Sequence, residues 1–256
     1  MKLLKLIPVL LITAFAGHAT AENPKAQVLV LIHSDTGGTL EMAREIAAGI
    51  ERGGSAAVIK RVSDSGGAGL KDFPVATVEE LPGYDGIAFG SPVYFGNIST
   101  AMSGFLAKTT TLWSEQALLG KPATVFMSAG GGAGRELAIQ SFWNTLAVHG
   151  MVLVPTGILG TGEIDKSIPQ GNTVLGTTSL ASQKQVPRPS DGERHLAREQ
   201  GAHFAGIVTA LRGAKHELVK AAPAKDTVKA NLQRKNIVLP PAPQPVGNYT
   251  PYARAG

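Results

Sequence analysis

Cysteine is missing altogether from the 256 residues of this chain. Its absence excludes disulfide bonds and a bacterial lipoprotein anchor, so an exported form would have to be stable without cross-links. Charged residues are scarce as well, at 17%, whereas 43% of the residues are hydrophobic. This balance is typical of a globular protein, and the length suffices for one domain of about 190 residues with additional segments.

Two common phosphate-binding patterns are absent from the turn that follows the first apolar run, residues 28–32. The turn has no lysine for a Walker loop and no Gly-x-Gly-x-x-Gly for a dinucleotide. It does combine hydroxyls and glycines directly before a helical pattern, where backbone N–H groups and the helix dipole favour a phosphate. A helix cap on a flexible turn is the alternative. The turn consists of Ser34, Asp35, Thr36, Gly37, Gly38 and Thr39.

The two ends of the chain differ from the middle. Residues 1–21 have Lys2 and Lys5 before an apolar stretch and small residues at 19–21, which predicts a secretory signal peptide and a periplasmic location. An uncleaved anchor is the alternative, although the stretch is short for a span of about 20 residues, and we expect no stable membrane insertion after cleavage.

Residues 214–256 carry seven Lys or Arg against two acids, so residues 22–213 have a net charge of about −2. Because the basic residues are spaced apart without interleaved aromatics, we expect no nucleic-acid binding.

Apolar runs alternate with helical patterns through residues 22–213, which indicates βαβ units and a parallel sheet. The predicted strands are 28–32, 55–62, 85–90, 122–128 and 151–155. The predicted helices begin at 40 and cover 100–109, 136–149 and 190–211, with Gly213 as a stop. Residues 63–76 are predicted as a loop, and residues 156–188 as a long loop with a functional or interface role.

Three loops of unusual composition follow predicted strands, at 34–39, 91–99 and 128–135. Ligands of open parallel sheets bind at the carboxyl ends of the strands, so the three loops predict one composite site. The second loop contains a proline and adjacent aromatics, which suit the wall of a site for a planar ring. The alternative is a surface loop whose aromatics pack inward. In the third, the glycines let the main chain lie flat against a ligand, or form a flexible linker.

Several motifs together resemble the WrbA family of flavodoxin-like NAD(P)H:quinone oxidoreductases. They are S-D-T-G-G-T, G-S-P-V-Y-F-G-N-I-S, Leu112-Trp113, S-A-G-G-G-A-G-R-E and N-T-L-A-V-H-G-M-V-L-V-P, in order from about residue 27 to 211. The resemblance implies an α/β flavodoxin-like fold, with a doubly wound five-stranded parallel sheet of order 2-1-3-4-5 and helices on both faces. It also implies a homotetramer that binds FMN and reduces quinones by two electrons from NAD(P)H. A one-electron carrier flavodoxin and a non-catalytic FMN-binding stress protein are the alternatives.

The resemblance also assigns site residues. It places the FMN phosphate on residues 34–39 and the nicotinamide or quinone beside Trp113, which could instead be an interface aromatic. The isoalloxazine would be bordered by Val93, Tyr94, Phe95, Gly96 and Asn97, and its polar edge by Ser128, Ala129, Gly130, Gly131, Gly132 and Ala133. Because a flavin carries the chemistry itself, we expect no catalytic acid–base pair and no metal site.

The chain departs from the family pattern at three points. The family's histidine pair is reduced to Val148 and His149, so His149 is either a cofactor-binding residue or a core histidine. Thr36 replaces a tyrosine, and Val174 and Leu175 replace an aromatic. Residues 214–256 are predicted as a basic, Pro/Ala-rich and disordered tail. Within it, residues 229–251 resemble the opening of a YjgF-like reactive-intermediate deaminase, truncated.

Overall fold

A computed structural model of the chain describes residues 24–221, 232, 234–236 and 238. The predicted signal peptide, residues 1–21, lies outside the described residues, and so does most of the deaminase-like segment. The described part divides into two units after Arg212. All of its strands belong to the first unit.

Strands and helices alternate along the first unit as the sequence predicts. The strands are β1 (Gln27–Ile32), β2 (Ala56–Arg61), β3 (Gly86–Tyr94), β4 (Asn97–Ile98), β5 (Pro122–Ala129), β6 (Val152–Leu153) and β7 (Thr178–Leu180). The α-helices are α1 (Gly38–Arg52), α2 (Thr100–Leu106), α3 (Thr110–Ser114), α4 (Arg135–Val148) and α5 (Asp191–Ala221). Short 3-10 helices occupy Ala68–Asp72, Leu81–Gly83 and Ala107–Thr109.

The parallel sheet has the order β2-β1-β3-β5-β6, which confirms the predicted order 2-1-3-4-5. Its fifth position is shared by two short strands. Val152 of β6 lies opposite Pro122 at the start of β5, whereas Thr178 of β7 lies opposite Met127 near its end. The residues between β6 and β7 are therefore an insertion within the fifth strand, where the sequence predicted a loop after a complete strand.

Helices cover both faces of the sheet, as predicted. Alternate residues of β1 point to opposite sides: Val30 belongs to a core cluster with Met42 of α1 and Phe204 of α5. Leu31 belongs to a second cluster with residues of α2 and α4. Burial on both faces explains why β1 is a continuous apolar run rather than an alternating one.

Two predicted boundaries are wrong. Helix α5 continues to Ala221 instead of ending at 211, so residues 214–221 are helical and not part of a disordered tail. A single glycine costs a helix only about 1 kcal/mol, and the alanines, lysines and leucine that follow Gly213 are good helix formers. Strand β3 extends to Tyr94 instead of ending at 90. Strand β1 ends opposite Gly90, so no β1 residue lies beside Pro92. The N–H that proline lacks therefore removes no hydrogen bond between β3 and β1.

Candidate functional site

The first loop lies at the start of α1. Gly37 adopts a left-handed φ of 94°. The first backbone hydrogen bond of the helix runs from the N–H of Glu41 to Gly37 O, at 2.9 Å. The N–H groups before Glu41 have no partner within the helix. The N–H of Leu40 donates instead to the buried Ser34 Oγ at 3.3 Å. Thr39 Oγ1 is buried without a partner among the described residues. The N–H groups of a helix N-terminus and an unpaired hydroxyl beside them fit a phosphate.

A wall beside this loop was missed by sequence reasoning. The N–H of Gly67 donates to Ser34 O at 2.8 Å, and a Cβ on Gly67 would lie 2.4 Å from Asp35 O. Together with Leu70, this segment and the first loop enclose a cleft of about 280 Å³. The adjacent glycines at 66 and 67, in a stretch predicted only as a loop, are the signal that could have indicated such close packing.

The second predicted loop is largely a hairpin. Strands β3 and β4 pair antiparallel, with Tyr94 opposite Asn97, and only Phe95 and Gly96 form the turn. Both turn residues have positive φ, 51° and 73°, as a two-residue hairpin of this kind requires. A phenylalanine rarely adopts this conformation, and the Phe95 ring is completely exposed, at 108%. A strained, solvent-facing aromatic is typical of a residue retained for binding.

The third loop touches both of the others. It follows β5, so Ser128 and Ala129 are strand residues and the glycines come after them. A Cβ on Gly38 would lie 2.5 Å from Ser128 Oγ, which brings the first and third loops into contact. A Cβ on Gly134 would lie 2.7 Å from Gly96 Cα, which brings the second and third together.

A side-chain contact joins the first and second loops. The Tyr94 hydroxyl donates to Asp35 Oδ2 at 2.6 Å, and His33 Nε2 lies 3.0 Å from Asp35 Oδ1. The hydrogen bond to Asp35, together with partial burial and the nearby carboxylate charge, raises the pKa of Tyr94 to about 12. The three predicted loops therefore meet pairwise at the carboxyl edge of the sheet.

Trp113 and His149 are not brought to these loops. Helix α4 begins beside the third loop and runs for 14 residues, about 21 Å, so His149 after its last residue lies near the opposite edge. His149 is buried with Nε2 at 2.9 Å from Thr109 Oγ1, and its burial lowers its pKa. Trp113 lies four residues beyond Thr109 and is 51% exposed. In this chain His149 has the contacts of a core histidine.

A second feature missed from the sequence is the buried Glu193, which supports the strand behind the third loop. Residues after β7 bond the third loop: Ala181 N donates to Ala129 O at 2.9 Å, and Ser182 N to Gly130 O at 3.1 Å. Glu193 is completely buried and accepts from Leu180 N at 2.9 Å. The S-x-x-E spacing of Ser190 and Glu193, a capping box at the start of α5, is the signal that could have indicated it.

Two kinds of feature are absent from the described residues. None of their helices combines the length and the apolar character that crossing a membrane requires. They also contain no group of three or more histidines and acids placed to hold a metal ion.

Known proteins resemble this chain in sequence and in fold. The family described as NADPH-dependent FMN reductase matches residues 27–165, more than half of the chain. A flavodoxin, WrbA-like protein from Agrobacterium tumefaciens is 21% identical with a TM-score of 0.54, over 73% of this chain and 99% of that one. A flavodoxin from the domain Archaea is 20% identical with a TM-score of 0.50, over 72% and 99%. A flavodiiron protein from Giardia intestinalis is 16% identical with a TM-score of 0.50, over 75% of this chain but 38% of that one.

The solved structures confirm the flavodoxin-like fold, and the family match adds the chemistry. The N–H groups at the start of α1, the unpaired Thr39 hydroxyl and the exposed Phe95 ring fit the phosphate and the planar ring of FMN. The chain belongs to the NADPH-dependent FMN reductase family and is an FMN-binding oxidoreductase of flavodoxin-like fold.

Proposed function

We propose that the chain uses FMN to transfer two electrons from NAD(P)H to quinones. The observation that carries the proposal is the meeting of the three loops at one edge, with the exposed Phe95 ring at the hairpin turn of the second loop. When bound, the flavin supplies the redox chemistry by accepting a hydride equivalent and passing it on. The protein's task is then to bind, to orient and to exclude water.

The residues of the three loops divide this task. The N–H groups and hydroxyls of residues 34–39 hold the phosphate, since a helix N-terminus favours an anion. Val93, Tyr94 and Phe95 border the ring system, and the backbone of residues 128–133 lies along its polar edge. Flat aromatic surfaces accept a nicotinamide or a quinone in turn, because stacking discriminates little between planar rings.

We also propose that the protein works as a homotetramer in which Trp113 serves a neighbouring copy. Trp113 follows Thr109, which contacts His149 beyond the far end of α4, so we place it away from the three loops and within reach of a flavin only across an interface. Val148 and Leu119 are exposed like Trp113. Light scattering of the FMN-loaded protein should give four copies. Trp113→Ala should raise the KM for quinone while FMN stays bound, and a monomer with full activity would contradict this assignment.

The activity is tested with purified protein reconstituted with FMN under anaerobic conditions. NADPH or NADH should bleach the flavin absorbance, and benzoquinone should restore it with turnover. A potentiometric titration separates the alternatives: a two-electron step follows a slope of about 30 mV per decade, and separate one-electron steps about 59 mV. One-electron slopes would favour a carrier, and bound FMN without turnover would favour a stress protein. Failure to retain FMN would refute the proposal.

A periplasmic location remains part of the proposal, supported by the basic and apolar pattern of residues 1–21. Mass spectrometry of the mature protein should find Glu22 at the N-terminus. An intact Met1 in a cytoplasmic fraction would contradict export. We further propose that residues 214–256 are dispensable for FMN binding. A chain truncated after Gly213 should keep its FMN affinity and its tetramer within a few-fold, and loss of either would contradict this.

A further inference from the structure

One carboxylate links two of the site's loops. Asp35 belongs to the loop proposed to hold the phosphate, and Tyr94 belongs to the strand end proposed to border the ring. The Tyr94 hydroxyl donates to Asp35 Oδ2 at 2.6 Å, and His33 Nε2 lies 3.0 Å from the other carboxylate oxygen. Both oxygens of Asp35 are therefore engaged within the site, although its side chain is 39% exposed.

The histidine end of this chain of contacts is held in the core. His33 is only 4% exposed, and its N–H donates to Gly90 O of β3 at 3.1 Å. The Asp35 carbonyl is packed so closely that a Cβ on Gly67 would lie 2.4 Å from it. Tyr94 belongs to the same strand as Gly90. The Asp35 carboxylate cannot turn outward without breaking both of its hydrogen bonds.

We propose that Asp35 is a positioning residue that couples the phosphate-binding loop to the Tyr94 ring, so that the loop holding the phosphate also fixes the wall of the flavin site. The proposal rests on FMN binding as proposed above. By charge alone, a carboxylate at this position is unfavourable, because it repels a phosphate dianion. Retaining a carboxylate there is favourable only if its contacts stabilise the site more than its charge weakens it.

The protonation of the link agrees with this role. With a pKa of about 12, the Tyr94 hydroxyl keeps its proton throughout the physiological range and donates to Asp35. The titratable groups seen in contact with Tyr94 and Asp35 are these two side chains and His33. Loss of the Tyr94 proton therefore does not break the contact between the loops near neutral pH.

The test compares FMN with riboflavin, which has the ring system but no phosphate. Dissociation constants are measured by flavin fluorescence for the full chain and for Asp35→Asn, Tyr94→Phe and the double variant, with melting curves to show that each is folded. The matched control is Tyr84→Phe, because the Tyr84 hydroxyl also meets a carboxylate, Glu80 at 3.5 Å, but precedes the start of β3.

Coupling predicts that each single variant weakens both FMN and riboflavin by about tenfold, the lower end for a hydrogen bond to a charged acceptor. The double variant should be no weaker than the singles, since one contact cannot be lost twice, and Tyr84→Phe should be unchanged. If Asp35→Asn binds FMN more tightly, or leaves riboflavin unchanged, repulsion or a purely local role overturns the coupling. Additive losses in the double variant overturn it as well. Such outcomes leave the proposed function intact, whereas a wild-type chain that binds neither flavin refutes both.

Discussion

Replacing Glu193 by alanine should destabilise the protein far more than replacing one of its exposed acids. The Glu193 carboxylate is fully buried and accepts from the backbone N–H groups of Gly171, Leu180 and Ser190, each within 2.9 Å. It also pairs with Arg188 Nη1 at 2.8 Å, and the Arg188 side chain is only 5% exposed. One residue thus joins the insertion, strand β7 and the start of α5.

The magnitude follows from what would be left behind. Removing one partner of a buried ion pair costs about 3–5 kcal/mol, because the other charge stays buried and unpaired. The orphaned N–H groups add to this, but relaxation and water entry offset part of the cost, so we expect about 4 kcal/mol. A domain of this size loses about 2–4 °C in Tm per kcal/mol, which gives a fall of about 12 °C. Glu193→Gln keeps the shape of the side chain but points an amide N–H at the N–H of Ser190. We expect it to lower the stability by about half as much as Glu193→Ala.

The assay is thermal and urea unfolding followed by circular dichroism, with Asp191→Ala as the control. Asp191 is an exposed acid in the same helical turn, so its removal should cost less than about 1 kcal/mol. Hydrogen exchange should show the amides of Ala181 and Ser182, which bond the third loop, opening first in Glu193→Ala. If Glu193→Ala is no less stable than the control, the buried network does not hold the fifth strand position together and the reasoning fails.

Three further outcomes follow from the site. Gly134→Ala should weaken FMN binding at least tenfold and lower stability by about 1–3 kcal/mol, because its φ is 74° and the new Cβ would lie 2.7 Å from Gly96 Cα; unchanged flavin fluorescence would argue against the contact. Phenolate absorbance should show Tyr94 titrating near pH 12, and at lower pH in Asp35→Asn, which loses the carboxylate but keeps the partial burial. Its hydrogen bond stabilises the fold fully below pH 10 and is lost as pH rises toward 12. Because burial lowers the pKa of His149, the unfolded chain binds that proton first as pH falls through about 6.5. Stability should therefore fall below that pH, and His149→Gln should flatten the dependence in urea titrations.

The sheet was predictable because its strands are marked locally. Strands buried on both faces are apolar throughout, and β1 and β5 have that pattern. Strand β7 has no such mark: Thr178, Ser179 and Leu180 join the sheet by pairing with β5 and by the bond from Leu180 N to the buried Glu193, 13 residues later. Propensity also failed at Gly213, where one unfavourable residue did not outweigh its helix-forming neighbours. Local pattern identified the elements, and long-range contacts decided where they end.

The site divides in the same way. The three loops were predictable because each directly follows a strand, and parallel strands bring their carboxyl ends to one edge. The link from Asp35 to Tyr94 was not, since it joins residues 59 positions apart whose pairing depends on the hairpin turn at Phe95. His149 shows what a resemblance leaves open, because the motif alone did not decide between a cofactor-binding residue and a core histidine, whereas the topology of one chain favours the core. A helix that starts at the carboxyl edge must end near the other, so a residue at its far end cannot reach the ligand of its own chain. Any role for His149 or Trp113 at a flavin therefore requires a second copy, and the oligomeric state decides whether the assignment survives.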